Sequence, residues 1–91
     1  MLPELSRHAQ ARMQQRAIRP DALELLLEFG REAFHHHGAV VLYFDKAARR
    51  RLLRSDPRAK HLECLERCYA VVSTDGEVVT VGHRRRRINR A

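Results

Sequence analysis

His8, Arg12 and Arg16 recur every four positions, so on an α-helix their side chains would stand in one column. Two guanidinium groups can grip a phosphate while an imidazole gives or takes a proton near neutral pH. Metal-free RNA cleavage needs those parts. It takes a base for the 2′-hydroxyl, an acid for the leaving oxygen, and cations facing the charge that develops on phosphorus. On this reading His8 is the acid or base, and Arg12, Arg16 and Arg84 hold phosphate. Tyr69 supplies a second proton or stacks a base, and Thr80 lines the same sheet surface. The spacing describes an ordinary solvated helix face equally well, and Tyr69 would serve as readily in cross-strand packing.

The charge points the same way. Among 91 residues there are 18 Lys and Arg against 11 acids, for a formal net charge of +7. Residues 1–45 carry 5 basic and 6 acidic side chains, whereas residues 46–91 carry 13 and 5. The whole excess therefore lies in the second half, a polarity that suits an anionic polymer. Arg dominates over Lys, and its planar fork matches phosphate oxygens in two bonds at once. Arg49, Arg50, Arg51 and Arg54 form one cluster, in which Arg50 and Arg54 face outward on a short helix. Arg84, Arg85, Arg86 and Arg87 form another beyond the last strand, suited to tracking a phosphate backbone. RNA is the expected partner, with DNA offering the same phosphates and an acidic protein offering a similar charge.

Other chemistries find less support. Cys64 and Cys68, with His61 and His83, contain metal-ligand types, but their spacing matches no strong zinc pattern. Buried free thiols are the simpler expectation. His35, His36 and His37 are consecutive, so strand alternation would divide them between two faces. No phosphate-binding loop, dinucleotide fingerprint or nucleophile elbow occurs, and no cofactor or metal is expected. No apolar run approaches the length of a membrane span. The opening Met1-Leu2-Pro3-Glu4 does not read as a secretion signal, which gives a cytoplasmic expectation without a membrane partner.

The elements that must position these groups read as follows. Ser6 can cap a helix over 6–16, with Leu5, Ala9, Met13 and Ala17 as its buried stripe. Pro20 and Asp21 open a second helix to residue 29, stopped by Gly30. Residues 33–44 end in the apolar run Val40–Phe44, a buried strand. Lys46–Arg54 is a short basic helix with Ala48 and Leu52 inward. Residues 58–66 are ambiguous between a helical turn and an extended segment. Cys68–Ser73 and Val78–Arg84 form a hairpin about a two-residue Asp75-Gly76 turn of type I′, which pairs Cys68 with His83 and Val72 with Val79. One face then carries Cys68, Ala70, Val72, Val79, Val81 and His83. The other carries Tyr69, Val71, Ser73, Val78, Thr80, Gly82 and Arg84. The result is a single α+β domain over 1–91, with 85–91 a basic C-terminal tail. Two N-terminal helices pack on a small, mainly antiparallel sheet that ends in the hairpin.

Leu5-Ser6-Arg7-His8-Ala9, Arg12-Met13 and Arg16-Ala17-Ile18 are similar to the opening motif of the DUF4258 family. Val71–Gly76 and Val78–Arg84 resemble that family's closing hairpin. Together the resemblance spans most of residues 5–85, leaving 46–66 without a matching motif. The layout resembles RelE/ParE-type toxins, which include ribosome-dependent RNA-cleaving proteins and gyrase inhibitors. What the resemblance implies is a functional role for His8, Arg12 and Arg16, which would equally serve to anchor the first helix to the sheet. The toxin-like layout implies a metal-independent endoribonuclease of toxin–antitoxin type, with the ribosome and an acidic antitoxin as partners. A non-enzymatic nucleic-acid-binding or protein-binding accessory module is the alternative. Ala17 stands where the family commonly has glycine, which suggests a turn without positive φ.

Overall fold

A computed structural model describes residues 4–34, 36–57 and 67–84. The first helix, α1 (Arg7–Gln15), starts at Ser6, whose Oγ accepts from the Ala9 amide at 3.0 Å. It ends in a Schellman motif, in which the Ile18 amide donates to Met13 O at 2.8 Å and the Ala17 amide to Gln14 O at 3.3 Å. Buried Ile18 meets buried Met13 there, the apolar contact this cap favours. The motif needs a left-handed residue after the cap, and that residue is Ala17, at φ 53°. The expectation of a turn without positive φ is therefore wrong. Ala17 is exposed, and Ile18 takes its place in the buried stripe beside Ala9 and Met13.

The second helix, α2 (Pro20–Phe29), buries Ala22, Leu23 and Leu26. Gly30 stops it, but in an extended conformation rather than the left-handed one. A β-carbon on Gly30 would stand 2.4 Å from Leu26 O, so close backbone approach is what requires glycine. The chain then turns straight into a strand that the sequence reading merged with its neighbour. Residues 33–44 are not one strand. Instead β1 (Arg31–Phe34) and β2 (Val40–Tyr43) form a hairpin, Arg31 opposite Tyr43 and Phe34 opposite Val40. The connection bends through His37 and Gly38, both at positive φ. His37 therefore lies in a turn, not in an alternating strand, and His35 falls outside the described residues.

Beyond α3 (Lys46–Ser55), β3 (Cys68–Val72) and β4 (Val78–His83) complete an antiparallel sheet in the order β1-β2-β3-β4. The expected pairing holds from Cys68–His83 to Val71–Thr80, but Val72 pairs with Val78 across a bulge. The turn differs too. Gly76 N donates to Ser73 O at 3.0 Å and Ser73 N to Glu77 O at 2.9 Å. Only Gly76 of the turn has positive φ, so the loop is a three-residue turn rather than type I′. The longer turn moves the register by one residue, and the bulge at Val79 moves it back. As a consequence Val78 and Val79 exchange their expected faces: Val78 is in the main core and Val79 packs on the other side. In the turn, the Ser73 hydroxyl donates to Asp75 and holds its carboxyl below the usual aspartate value, helped by the Glu77 backbone. Its contribution to the turn is present at neutral pH and is lost as pH falls through the lowered value.

Both N-terminal helices cover one sheet face, α1 against β4 and α2 against β2 and β3, while α3 packs on α2. Leu23, Leu26, Leu42, Phe44, Leu52, Ala70, Val78 and Val81 fill the space between. The second face gathers Val41, Tyr43 and Val71, flanked by Ala33, Tyr69 and Val79. Residues 4–6 run parallel to the start of β4, with Ser6 N on Val78 O at 3.0 Å and Val78 N on Glu4 O at 2.9 Å.

Two substitutions test these junctions. Ala17→Gly should stabilise the domain by about 1 kcal/mol, because the relief of a left-handed alanine exceeds the entropy glycine adds to the unfolded chain. Ser6→Ala should cost about 1–2 kcal/mol, since it removes a helix cap and a second hydrogen bond together. Urea denaturation of each variant beside the wild type measures both.

Candidate nucleic-acid interface

The basic helix is positioned by its own cap and by its neighbours. Asp45 closes β2 and caps α3, its Oδ1 accepting from the Ala48 amide at 2.8 Å. Its Oδ2 accepts from the Arg31 guanidinium at 3.1 Å, so one nearly buried carboxylate ties β1 to α3. Ala48 and Leu52 are buried and Leu53 is partly buried, which turns Lys46, Arg50 and Arg54 to solvent. Arg51 is used differently. It donates to Phe29 O at 3.2 Å, placing a cation on the carbonyl end of α2. Among the described residues, Arg50 and Arg54 make no hydrogen bond or ion pair. Their positive charge is therefore displayed rather than spent on the fold.

A second group lies on the sheet face away from α1 and α2. Tyr43 and Tyr69 are cross-strand partners, and Tyr69 in turn lies opposite Gly82. A β-carbon at Gly82 would stand 2.9 Å from the Tyr69 ring, so the ring lies across the glycine. Thr80 shares this face, opposite Val71, and is half-buried. Arg84 continues the β4 backbone by donating to Arg67 O at 2.6 Å. Its guanidinium lies 5.3 Å from the Tyr43 ring centroid and donates to Phe44 O at 2.6 Å. This cation–π and carbonyl pairing fixes Arg84 at the end of the tyrosine row. Tyr43 is 2% exposed, and its hydroxyl is buried without a hydrogen-bond partner among the described residues.

Sequence spacing had not singled out Tyr43. Its signal was the alternation of Val41 and Tyr43 against Leu42 and Phe44, hidden inside a continuous apolar run. The other buried side-chain polar atom without a hydrogen-bond partner among the described residues is Nε2 of His83, which lies opposite buried Cys68. Cys64 and His61 lie outside the described residues. Within those residues no three metal-ligating side chains gather, and no helix is long and apolar enough to cross a membrane.

The column on α1 is only partly preserved. His8 is exposed, and its Nε2 receives a long 3.5 Å contact from Arg12 Nε. Arg16 is the cap residue, at φ −101° and ψ 5°, so it has left the helical geometry that would continue the column. His8 and Tyr69 do not come together. Ala9 and Met13 seat α1 on the Val78–Val81 face, while Tyr69 belongs to the Val41–Val71 face. The elements that carry these two residues therefore belong to different layers of the fold. Arg85, Arg86 and Arg87 lie outside the described residues. Compared with known protein families, curated proteins and solved structures, the chain matches none.

The contact between Tyr69 and Gly82 is open to test. Gly82→Ala should push the ring aside and cost about 1 kcal/mol. With 2 Tyr and no Trp in the chain, near-ultraviolet circular dichroism should register the displacement directly.

Proposed function

We propose that the protein is a small RNA-binding domain that holds phosphates on the outward face of α3. The observation that carries this reading is the division of labour among the arginines. Arg31, Arg51 and Arg84 are tied to protein oxygens, whereas Arg50 and Arg54 stand exposed beside Lys46. Tyr69 lies with the sheet face away from the helices, so it would meet an unpaired base only of a single strand that continues round the sheet from α3. The reading places the protein in the cytoplasm with RNA or the ribosome. The sequence resemblance to DUF4258 proteins and RelE/ParE-type toxins agrees with it, although the strand β1, and with it the hairpin β1–β2, was not part of the expected layout.

Holding is favoured over cutting because His8 and Tyr69 lie with different layers. Within the α1 column, His8 and Arg12 are the pair still in contact, and a ribonuclease built on that column would use Arg12 as the phosphate contact. The test is binding of single-stranded RNA and duplex DNA across a salt series, for wild type and Arg50→Ala/Arg54→Ala. Tighter binding of RNA is expected, with affinity falling steeply as salt rises. The double variant should bind more weakly and lose about one unit of salt slope per arginine. No RNA binding at low salt would overturn the proposal and leave an acidic protein partner as the better reading. The same RNA, incubated with and without ribosomes, should remain intact. Cleavage that disappears in His8→Ala would replace holding by catalysis.

A further inference from the structure

The sheet has two edges of different character. At β4 the edge is occupied where residues 4–6 pair with Val78, and the strand is bulged at Val79. Both features obstruct the addition of another strand. At the opposite edge, β1 has no neighbour among the described residues beyond β2. It carries no proline and no bulge to protect it. Phe34, at its end, is 90% exposed and is the large hydrophobic side chain left in water among the described residues. An open strand edge and an unburied phenyl ring thus coincide on one four-residue strand.

We infer that two copies of this chain pair antiparallel through β1, joining their sheets across a two-fold axis. The occupant follows from face and charge. Strand partners directly opposite one another place their side chains on the same face. Arg31 and Ala33 share the face of Tyr43 and Val41, while Glu32 and Phe34 share the face of Leu42 and Val40. A two-fold pairing that keeps the faces matched can be centred on Glu32 or on Ala33. Centring on Glu32 would set two carboxylates against each other, which is unfavourable. Centring on Ala33 sets two methyl groups on the axis and Phe34 against the partner's Glu32. The two phenyl rings then become diagonal neighbours on one face, within reach of each other. β1 also belongs to residues 1–45, where acids slightly outnumber bases, so this edge carries little of the charge that would repel a second copy. With one edge open and the other obstructed, the assembly closes as a dimer. Its ladder is short, so the dimer is weak and depends on concentration.

Sedimentation velocity on the full chain over a concentration series tests this, together with mild oxidation of an Ala33→Cys variant. The wild type should shift from monomer to dimer as concentration rises. Ala33→Cys should become a covalent dimer, with the wild type and its own two cysteines as the control. Phe34→Glu should weaken dimerisation by about tenfold or more, with an unchanged far-ultraviolet circular dichroism spectrum, since the side chain is exposed. Phe34→Lys should weaken it less, because the ammonium would face the partner's Glu32. A wild-type chain that stays monomeric throughout overturns the inference. So does a dimer that ignores Phe34→Glu and leaves Ala33→Cys unlinked.

Discussion

Ser6 is where the two layers of this fold are joined. Its hydroxyl accepts from the Ala9 amide, which starts α1, and donates to Val79 O at 3.0 Å, which fixes α1 on β4. Its amide meanwhile reaches Val78 O at 3.0 Å. A single small polar residue thus satisfies a helix end, a strand edge and a bulge at once. The apolar stripe of Ala9 and Met13 gains its position from that junction. Without it, α1 would have the same buried residues but no fixed angle against the sheet, since a two-residue stripe resists rotation poorly. The bulge at Val79 belongs to the same arrangement. It turns Val78 into the core while leaving the Val79 carbonyl where Ser6 reaches it.

The basic side chains show how a small domain divides one residue type between structure and display. Guanidinium groups on Asp45, Phe29 O and Phe44 O each fasten two elements across a solvent boundary. Long arginine stems let the charge reach those oxygens while the methylenes cover apolar surface. Once these three are set aside, Lys46, Arg50 and Arg54 are still exposed together on the outer face of α3. A high net charge is therefore a poor guide to a binding surface until the structural arginines are set aside.

That division marks how far the sequence could be read. The helices were legible because their signals are local: Ser6 and Pro20 at the starts, and four-residue spacing for Ala9–Met13 and Ala48–Leu52. Most of the β3–β4 register was legible for the same reason, since alternating apolar residues flank a glycine turn. The strand β1 was not, because Arg31-Glu32-Ala33-Phe34 buries little and so has no strong alternation to read. The bulge answers to Ser6, far away in the chain, and no window around Val79 contains that information. Ala17 misled because its left-handed backbone is imposed by Ile18 returning to Met13, a packing demand that outweighs the preference of the residue itself. The placing of His8 and Tyr69 with different layers turns on a related point. Spacing along a helix and alternation along a strand each define a face, but neither says which faces meet.

The junction at Ser6 also has a consequence in time. The hydrogen bond from Ser6 to Val79 spans 73 positions, so the start of the chain docks on a strand made near its end. During synthesis the earliest residues must wait, exposed, until β4 has emerged. The helices α1 and α2 can form locally before then, but the sheet that anchors α1 cannot be finished. Closing so long a loop carries an entropic cost that local contacts do not repay until the final strand is in place. The seating of α1 on the sheet therefore cannot precede the making of β4.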